Sequence, residues 1–201
     1  MAKLGRPLVM SVEQRRAEIF QIAEKLFGEK GFEQVTMSEI ATAVGMSKKT
    51  LYVYFLDKRE LLISLVESSY LWAEDAFERN HLNTVVALQD QLNKTAEHVL
   101  SERHIKLCRL AIAERVGIDG LTATFFEKGI AKSRDHLIQA VNEIDKSQYL
   151  LNLSPMILAD MLFGATISKP FVDLLFLNKS IDLSQVKETI ALSIEALFKA
   201  Q

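Results

Sequence analysis

The stretch Thr36-Met-Ser-Glu-Ile-Ala-Thr-Ala-Val-Gly-Met-Ser-Lys-Lys-Thr-Leu-Tyr-Val-Tyr-Phe55 decides how the first third of this chain folds. It predicts two short helices joined by a tight turn, because a Ser or Thr stands before each helix as a cap and Gly45 stands where the first helix must end. Thr36 and Glu39 also have the spacing of a capping box. Two helices joined in this way form a helix-turn-helix, whose second helix can enter the major groove of DNA.

The residues on either side predict one further helix before this hairpin and one after it. Ser11-Val-Glu-Gln14 has the form of a capping box, and apolar residues then recur at helical spacing as far as Phe27. Gly28 and Gly31 are expected to end that helix, because the residue after a helix often needs a positive φ. Asp57 is expected to cap the fourth helix.

The second helix of the hairpin has one apolar and one polar face. Leu51 and Phe55 are four residues apart and should face the core. The side chains left to face outward carry ammonium, hydroxyl and methyl groups, which suit phosphates and base edges; they are Lys48, Lys49, Thr50, Tyr52 and Tyr54. The same pattern also fits an ordinary helical hairpin with a polar face, in which Tyr54 packs under the first helix and Lys48 is only solvated.

Residues 12–65 resemble the DNA-binding domain of TetR/AcrR regulators in several blocks that occur in the family's order. The blocks are Phe32-Glu-Gln-Val-Thr-Met-Ser-Glu-Ile-Ala41, Val44-Gly-Met-Ser47, Thr50-Leu-Tyr-Val-Tyr-Phe55 and Asp57-Lys-Arg-Glu-Leu-Leu62. The resemblance implies a homodimeric repressor that holds a palindromic double-stranded DNA operator with two reading heads and releases it when a ligand binds. An activator, or a DNA-bound protein that recruits a protein partner, would have the same sequence features.

The resemblance also implies roles for single residues. Tyr52 and Lys58 are similar to a tyrosine and a lysine that hold DNA phosphates, and Thr36 caps a helix whose N-terminus can accept a phosphate. The variable reading positions are occupied by Lys48, Lys49, Thr50 and Tyr54. The complete set of expected DNA contacts is Arg6, Thr36, Ser47, Lys48, Lys49, Thr50, Tyr52, Tyr54 and Lys58.

The distribution of charge sets the N-terminal segment apart. Residues 1–59 hold 10 Lys and Arg against 7 Asp and Glu, whereas the remainder holds 14 against 19, so one end is basic although the net charge is −2. We expect a basic arm at 1–10, a helix-turn-helix domain at 11–57 and a helical domain at 58–201. Arg6 of the arm either lies in a narrow minor groove or only aids solubility.

The rest of the chain is expected to be all helical, giving about nine helices in total. Only 3 Pro and 8 Gly occur in 201 residues, which suits long helices better than a turn-rich β protein. The fourth helix should run from about residue 58 to 80, followed by helices at about 84–100, 102–116, 121–146, 154–177 and 183–200. Pro170 predicts a kink or break inside the penultimate helix.

This helical domain is expected to bind a ligand and to dimerise. The last two helices, about 155–177 and 183–200, are strongly apolar; they would be core in a monomer, but the TetR resemblance implies that they form the homodimer interface. The segment from Arg109 to Gly129 also resembles the C-terminal domain of AefR-like members. An unknown hydrophobic or aromatic effector is expected, and the candidate lining residues, which could equally be ordinary core, are Trp72, Phe77, Cys108, Phe125, Phe126, Phe163 and Phe171.

The sequence argues against other classes of protein. No apolar run is long enough to cross a membrane, no secretory signal opens the chain, and the single cysteine, Cys108, fits a reducing compartment, so a cytoplasmic protein is expected. The four histidines have no metal-site spacing, and no cofactor motif occurs. Ser184 and Lys187 have the Ser-x-x-Lys spacing of some acylating enzymes, but the companion motifs are missing. No enzyme is therefore expected.

Overall fold

The computed structural model describes residues 10–70, 84–114, 120–177 and 179–199, and within these ranges it is built from helices. The chain forms two compact units that divide between Leu65 and Val66. The N-terminal unit contains α1 (Val12–Lys30), α2 (Met37–Val44), α3 (Lys48–Tyr54) and most of α4 (Lys58–Ser68). Helix α4 ends at Ser68, earlier than the expected limit near residue 80. Residues 1–9 of the predicted arm and residues 71–80 lie outside the described residues.

Local capping sets the limits of α1 to α3. Ser11 and Gln14 form the expected reciprocal capping box at the start of α1. Gly31, with φ of 80°, ends α1 and donates its backbone N–H to the carbonyl of Phe27. The expectation that Gly28 would help to end the helix is wrong, because α1 continues through it for two further residues. Gly45 adopts the left-handed conformation after α2, with φ of 76°.

The core of the N-terminal unit includes the start of α4. Asp57 caps this helix, since its Oδ1 accepts hydrogen bonds from the backbone N–H groups of Arg59 and Glu60 at 2.8 and 2.9 Å. Leu61, Leu62 and Leu65 are then completely buried. This burial explains why the compact unit extends eight residues beyond the expected boundary at 57.

The C-terminal unit consists of helices whose bounds lie close to those expected. They are α5 (Val85–Val99), α6 (Glu102–Ala113), α7 (Leu121–Thr124), a π-helical segment (Phe125–Ala131), α8 (Lys132–Glu143), a 3₁₀ turn (Lys146–Gln148), α9 (Pro155–Phe163), a second π-helical segment (Gly164–Ser168), α10 (Lys169–Leu177) and α11 (Leu183–Leu197). A continuous core joins α5, α8, α9 and α11. An antiparallel bridge between Tyr149 and Phe198 ties the end of α11 to the connection that precedes α9.

The second π-helical segment explains how Pro170 fits within a helical stretch. Proline has no N–H to donate, and its ring crowds the carbonyl of the preceding turn. In this chain the backbone widens from α to π geometry over Gly164–Ser168 and returns to α geometry at Lys169. The expected kink or break is therefore a local π-helical change, and α9 and α10 remain joined by helical residues.

Candidate nucleic-acid interface and effector site

Helix α3 is held in place by two buried side chains and by Arg16 of α1. Leu51 is completely buried and Phe55 is 1% exposed, so one side of the helix is anchored in the core. Arg16 of α1 holds the C-terminal end of α3. Its guanidinium lies 4.4 Å from the centre of the Phe55 ring, and its Nη1 donates to the Tyr54 carbonyl at 3.2 Å. A cation at this position also opposes the negative end of the helix dipole. Sequence reasoning does not find Arg16, since 38 residues separate it from Tyr54.

The outward face of α3 is exposed and mixed in chemistry. Lys49 and Val53 lie two residues before and after Leu51, a rotation of about 200° about the helix axis, so they point away from the core. Val53 is 80% exposed and Tyr52 is 42% exposed. Sequence reasoning misses Val53, because an apolar residue between two tyrosines suggests packing, although its position opposite Leu51 could have revealed it.

Hydroxyl side chains cap the N-termini of α2 and α3. Ser47 caps α3, since its Oγ accepts a hydrogen bond from the Thr50 N–H at 3.0 Å, and the two side-chain oxygens lie 2.8 Å apart. Thr36 caps α2 in the same way, with its Oγ1 accepting from the Glu39 N–H at 3.2 Å. The carboxylate of Glu39 binds Lys30. Ser47, Thr50 and Thr36 are all exposed, so a DNA strand could reach them.

Lys58 contacts the connection between α1 and α2. Its Nζ donates to the backbone carbonyls of Phe32 and Glu33 at 2.6 and 3.2 Å, and it lies 4.2 Å from the centre of the Phe32 ring. These contacts hold the start of α4 against the connection between α1 and α2. An ammonium group has three N–H donors, so one donor remains beyond these two hydrogen bonds.

The charges at the start of α3 favour an anionic partner. Lys48 and Lys49 occupy the first two positions of the helix, and its first turn contains no acidic residue. Cations at a helix N-terminus face the positive end of the dipole, which costs each roughly 0.3–1 kcal/mol when exposed. A phosphate placed there would be attracted by both the lysines and the helix N-terminus, and so would offset the repulsion between them. Lys48 also leans over the Tyr52 ring, with 5.9 Å between Nζ and the ring centre.

The remaining predicted DNA residues are placed as follows. Tyr54 is half-buried, so it offers less surface than its neighbours on α3. Arg6 lies outside the described residues. The structure thus gathers the exposed Lys48, Lys49, Thr50 and Tyr52 on one helix, and Ser47 at its start.

A cluster of aromatic and imidazole rings lies inside the C-terminal unit. His104 of α6 is 6% exposed, and its ring centre lies 4.9 Å from that of His98, 5.7 Å from that of Tyr70 and 6.3 Å from that of Phe171. Tyr70 also meets Phe125 edge to face, at 5.7 Å. We call this group the ring cluster; its members are Tyr70, His98, His104, Phe125 and Phe171.

Burial keeps the ring cluster uncharged near neutral pH. Burial, together with the neighbouring His104 and Arg103, lowers the pKa of His98 to about 3, and burial together with Arg103 lowers the pKa of His104 to about 4. Burial raises the pKa of the Tyr70 hydroxyl well above its usual range. Burial also raises the pKa of the Cys108 thiol, four residues after His104, to about 12.

The expected ligand-binding residues divide between the ring cluster and other positions. Phe125 and Phe171 belong to the cluster, and Cys108 lies on the same face of α6 as His104, where it is buried. Phe163 packs against the core of the C-terminal unit. Phe126 is 58% exposed, because consecutive side chains of a helix point in different directions, and it is not part of the cluster. Trp72 and Phe77 lie outside the described residues.

Comparisons with known proteins agree with this architecture. The family model for bacterial regulatory proteins of the tetR family matches residues 19–65. An HTH-type transcriptional regulator of Staphylococcus aureus (strain USA300) is 38% identical over 55 residues, which span 27% of this chain and about 30% of the length of that curated relative. The alignment with this curated relative thus covers less than a third of either chain.

Solved structures extend the similarity to nearly the full chain. A protein of Mesorhizobium loti assigned to the TetR family of transcriptional regulators is 25% identical, with a TM-score of 0.78 over 92% of this chain and 95% of that one. NalD of Pseudomonas aeruginosa, the secondary repressor of the MexAB-OprM multidrug efflux pump, is 20% identical, with a TM-score of 0.67 over 94% of this chain and 98% of that one. The second likeness concerns the fold alone.

Helices α2 and α3, joined by the turn at Gly45, define a helix-turn-helix in the N-terminal unit. Residues 19–65 match the tetR family model, and the fold of the chain is similar to that of a TetR-family structure of 25% sequence identity. Among the described helices, none is both long and apolar enough to span a lipid bilayer.

Proposed function

We propose that this protein is a homodimeric repressor that binds a palindromic operator and releases it when a small molecule occupies the C-terminal unit. The observation that carries the proposal is the outward face of α3, where two lysines, two hydroxyl groups and Val53 are exposed on a helix anchored by Leu51 and Phe55. An exposed cationic face on a rigidly held short helix is what a major-groove reader requires.

The proposed DNA contacts divide between phosphates and bases. Tyr52, Lys58 and the N-terminus of α2 at Thr36 hold phosphates and set the register. Lys49 and Val53 point furthest from the core, so they are the candidates for base contacts, the lysine to a guanine edge and the valine to a thymine methyl group. Ser47, Lys48, Thr50 and Tyr54 complete the surface, and Arg6 is proposed to reach the minor groove.

A salt titration tests the electrostatic part of this proposal. Replacing Lys48 and Lys49 with alanine should weaken DNA binding and reduce the slope of log affinity against log salt by about one for each lysine that binds a phosphate. The matched control replaces Lys94 and Lys106, two exposed lysines of the C-terminal unit that form only i,i+4 ion pairs on their own helices. Equal slopes for the two double variants would contradict the proposed orientation.

The dimer is proposed to form through α9, α10 and α11. Large apolar side chains recur along one exposed face of the first two helices, at Ile157, Met161, Val172 and Phe176, with Ala165 between them. Leu192 of α11 is 59% exposed. A row of this length facing water is unusual in a monomer, and it has the spacing by which helices pack into a four-helix bundle.

A charge introduced into this row tests the proposed interface. Phe176→Glu should shift the protein from dimer to monomer in light scattering after gel filtration, because Phe176 is 71% exposed in the single chain and would be buried in the dimer. Val86→Glu is the control, because Val86 is 65% exposed but lies on α5, outside the row. A dimeric Phe176→Glu variant would exclude this face.

Release by a ligand and repression are supported by more general arguments. The ring cluster provides an apolar interior, and helix α4 contains residues of both units. Solved relatives in fold include repressors of multidrug efflux pumps and a flavonoid-responsive regulator, which favours a hydrophobic or aromatic effector and a cytoplasmic site of action. Retention of a protein partner on DNA, with no small molecule causing release, would instead favour a recruiting role.

A further inference from the structure

The ring cluster contains a buried polar atom that the protein itself leaves unsatisfied. Nδ1 of His104 is buried and has no hydrogen-bond partner, and the residue as a whole is only 6% exposed. A buried polar group without a partner costs free energy, roughly 1–3 kcal/mol for a neutral one. Such atoms in native proteins call for an explanation, because most buried polar groups have a hydrogen-bond partner.

The surroundings of His104 restrict the ligand that could supply the partner. The rings of Tyr70, Phe125 and Phe171 stand 5.7–6.3 Å from the imidazole, so the neighbouring surface is aromatic. At neutral pH the imidazoles are uncharged, and the nearby phenol and thiol are uncharged as well. The members of the ring cluster itself are uncharged, although the charge of Arg103 acts on both imidazoles, so an ionic ligand would enter at a substantial cost in desolvation.

Arg109, the cation nearest in sequence to Cys108, is used elsewhere. Its Nε and Nη2 donate to the backbone carbonyls of Leu175 and Leu174 at 3.1 and 2.6 Å, near the end of α10. These bonds fix α10, which carries Phe171, against α6, which carries His104. The arrangement is therefore a rigid aromatic site, in which Arg109 is engaged by backbone carbonyls.

We propose that His104 is the polar anchor of the effector site, and that the effector is an uncharged aromatic compound whose hydroxyl or carbonyl oxygen hydrogen-bonds to Nδ1. This inference rests on the proposed ligand response and names the chemistry of that same site. A neutral imidazole can either donate to an oxygen or accept from a hydroxyl through this atom, so a phenol satisfies it in both tautomers. The aromatic rings provide the stacking and edge contacts.

Binding of three small probes measures this preference directly. Equilibrium dialysis with 2-naphthol, 2-methylnaphthalene and 2-naphthoate compares the same ring system with a hydroxyl, a methyl and a charged group. Wild-type protein should bind 2-naphthol about tenfold more tightly than 2-methylnaphthalene, the effect of one additional hydrogen bond to a buried group, and 2-naphthoate more weakly than 2-naphthol.

Two variants separate hydrogen bonding from packing. His104→Phe should abolish the preference for 2-naphthol while 2-methylnaphthalene still binds, and His104→Asn, whose amide lies near the position of Nδ1, should restore part of it. Equal affinities for 2-naphthol and 2-methylnaphthalene in the wild type, an unchanged preference in folded His104→Phe, or no binding of any probe would overturn the proposal.

DNA binding in the same samples separates this inference from the proposed function. If wild type selects no operator from random duplexes but shows the His104-dependent preference, the repressor proposal fails and the ligand chemistry stands. If an operator is bound and other compounds release it while the three probes show no dependence on His104, the ligand chemistry fails and the repressor proposal stands.

Discussion

The buried His104 should make the C-terminal unit sensitive to mild acid. Burial, with Arg103 as a smaller contribution, lowers the pKa of this imidazole from 6.5 to about 4. The unfolded chain therefore binds more protons than the folded chain between these two values. It follows that the free energy of unfolding is highest above pH 6.5 and decreases as the pH falls towards 4.

The expected size of the effect follows from the pKa values of the folded and unfolded states. A tenfold difference in proton affinity corresponds to about 1.4 kcal/mol, so the complete loss is roughly 3 kcal/mol, and about 2 kcal/mol of it should be lost between pH 7.5 and pH 5. His98 acts in the same direction, since its pKa is lowered to about 3, but it is only half-buried and therefore contributes less. The loss is a large part of a typical stability of about 5–15 kcal/mol.

Urea unfolding monitored by circular dichroism at several pH values from 7.5 to 5 measures this loss. The wild type should be compared with His104→Asn, which cannot titrate in this range. The free energy of unfolding of the variant should depend less steeply on pH, by about 2 kcal/mol over the interval. Parallel pH profiles for the two proteins would refute the reasoning, since they would show that His104 titrates alike in the folded and unfolded states.

Three other substitutions have definite expected outcomes. Arg16→Met should destabilise the N-terminal unit by about 1–2 kcal/mol in thermal unfolding and weaken DNA binding, because it removes the hydrogen bond to the Tyr54 carbonyl and the cation–π interaction with the Phe55 ring; an unchanged melting temperature would count against it. Val53→Ala should lower the affinity for an operator by up to about tenfold, because it removes a contact with one base. An equal decrease in affinity for all DNA sequences would show instead that the variant affects contacts with phosphates. Gly129→Ala should lower the free energy of unfolding by about 1–3 kcal/mol, since the new Cβ would lie 2.5 Å from the Tyr70 ring. If the losses caused by Gly129→Ala and Tyr70→Leu simply add in the double variant, this contact is not the cause.

The parts of the fold that depend on local chemistry could be predicted from the sequence. Ser11, Thr36 and Ser47 each cap the helix that they were expected to cap, because a side-chain oxygen and a backbone N–H three residues later are enough to start a helix. Gly45 ends α2 for an equally local reason, its positive φ. The helix bounds were accordingly predicted to within a few residues for most of the described chain.

The parts that depend on distant contacts could not be predicted. Arg16 and Lys58 donate to carbonyls 38 and 26 residues away in the sequence, and no local pattern predicts such hydrogen bonds. In the sequence His104 resembles an ordinary helical residue, because only the packing of Tyr70, Phe125 and Phe171 around it leaves its Nδ1 without a partner. Phe126 was expected beside Phe125 in a pocket, but its rotation about the helix places it in solvent.

Selection of random duplex DNA, followed by sequencing, tests the central claim that the outward face of α3 reads DNA. Wild type should be compared with Lys48→Ala/Lys49→Ala and with the control Lys94→Ala/Lys106→Ala. We predict a palindromic motif enriched by wild type and by the control, and little enrichment by the α3 variant. No motif from folded, dimeric wild type, or the same motif with equal enrichment from all three proteins, would contradict the claim.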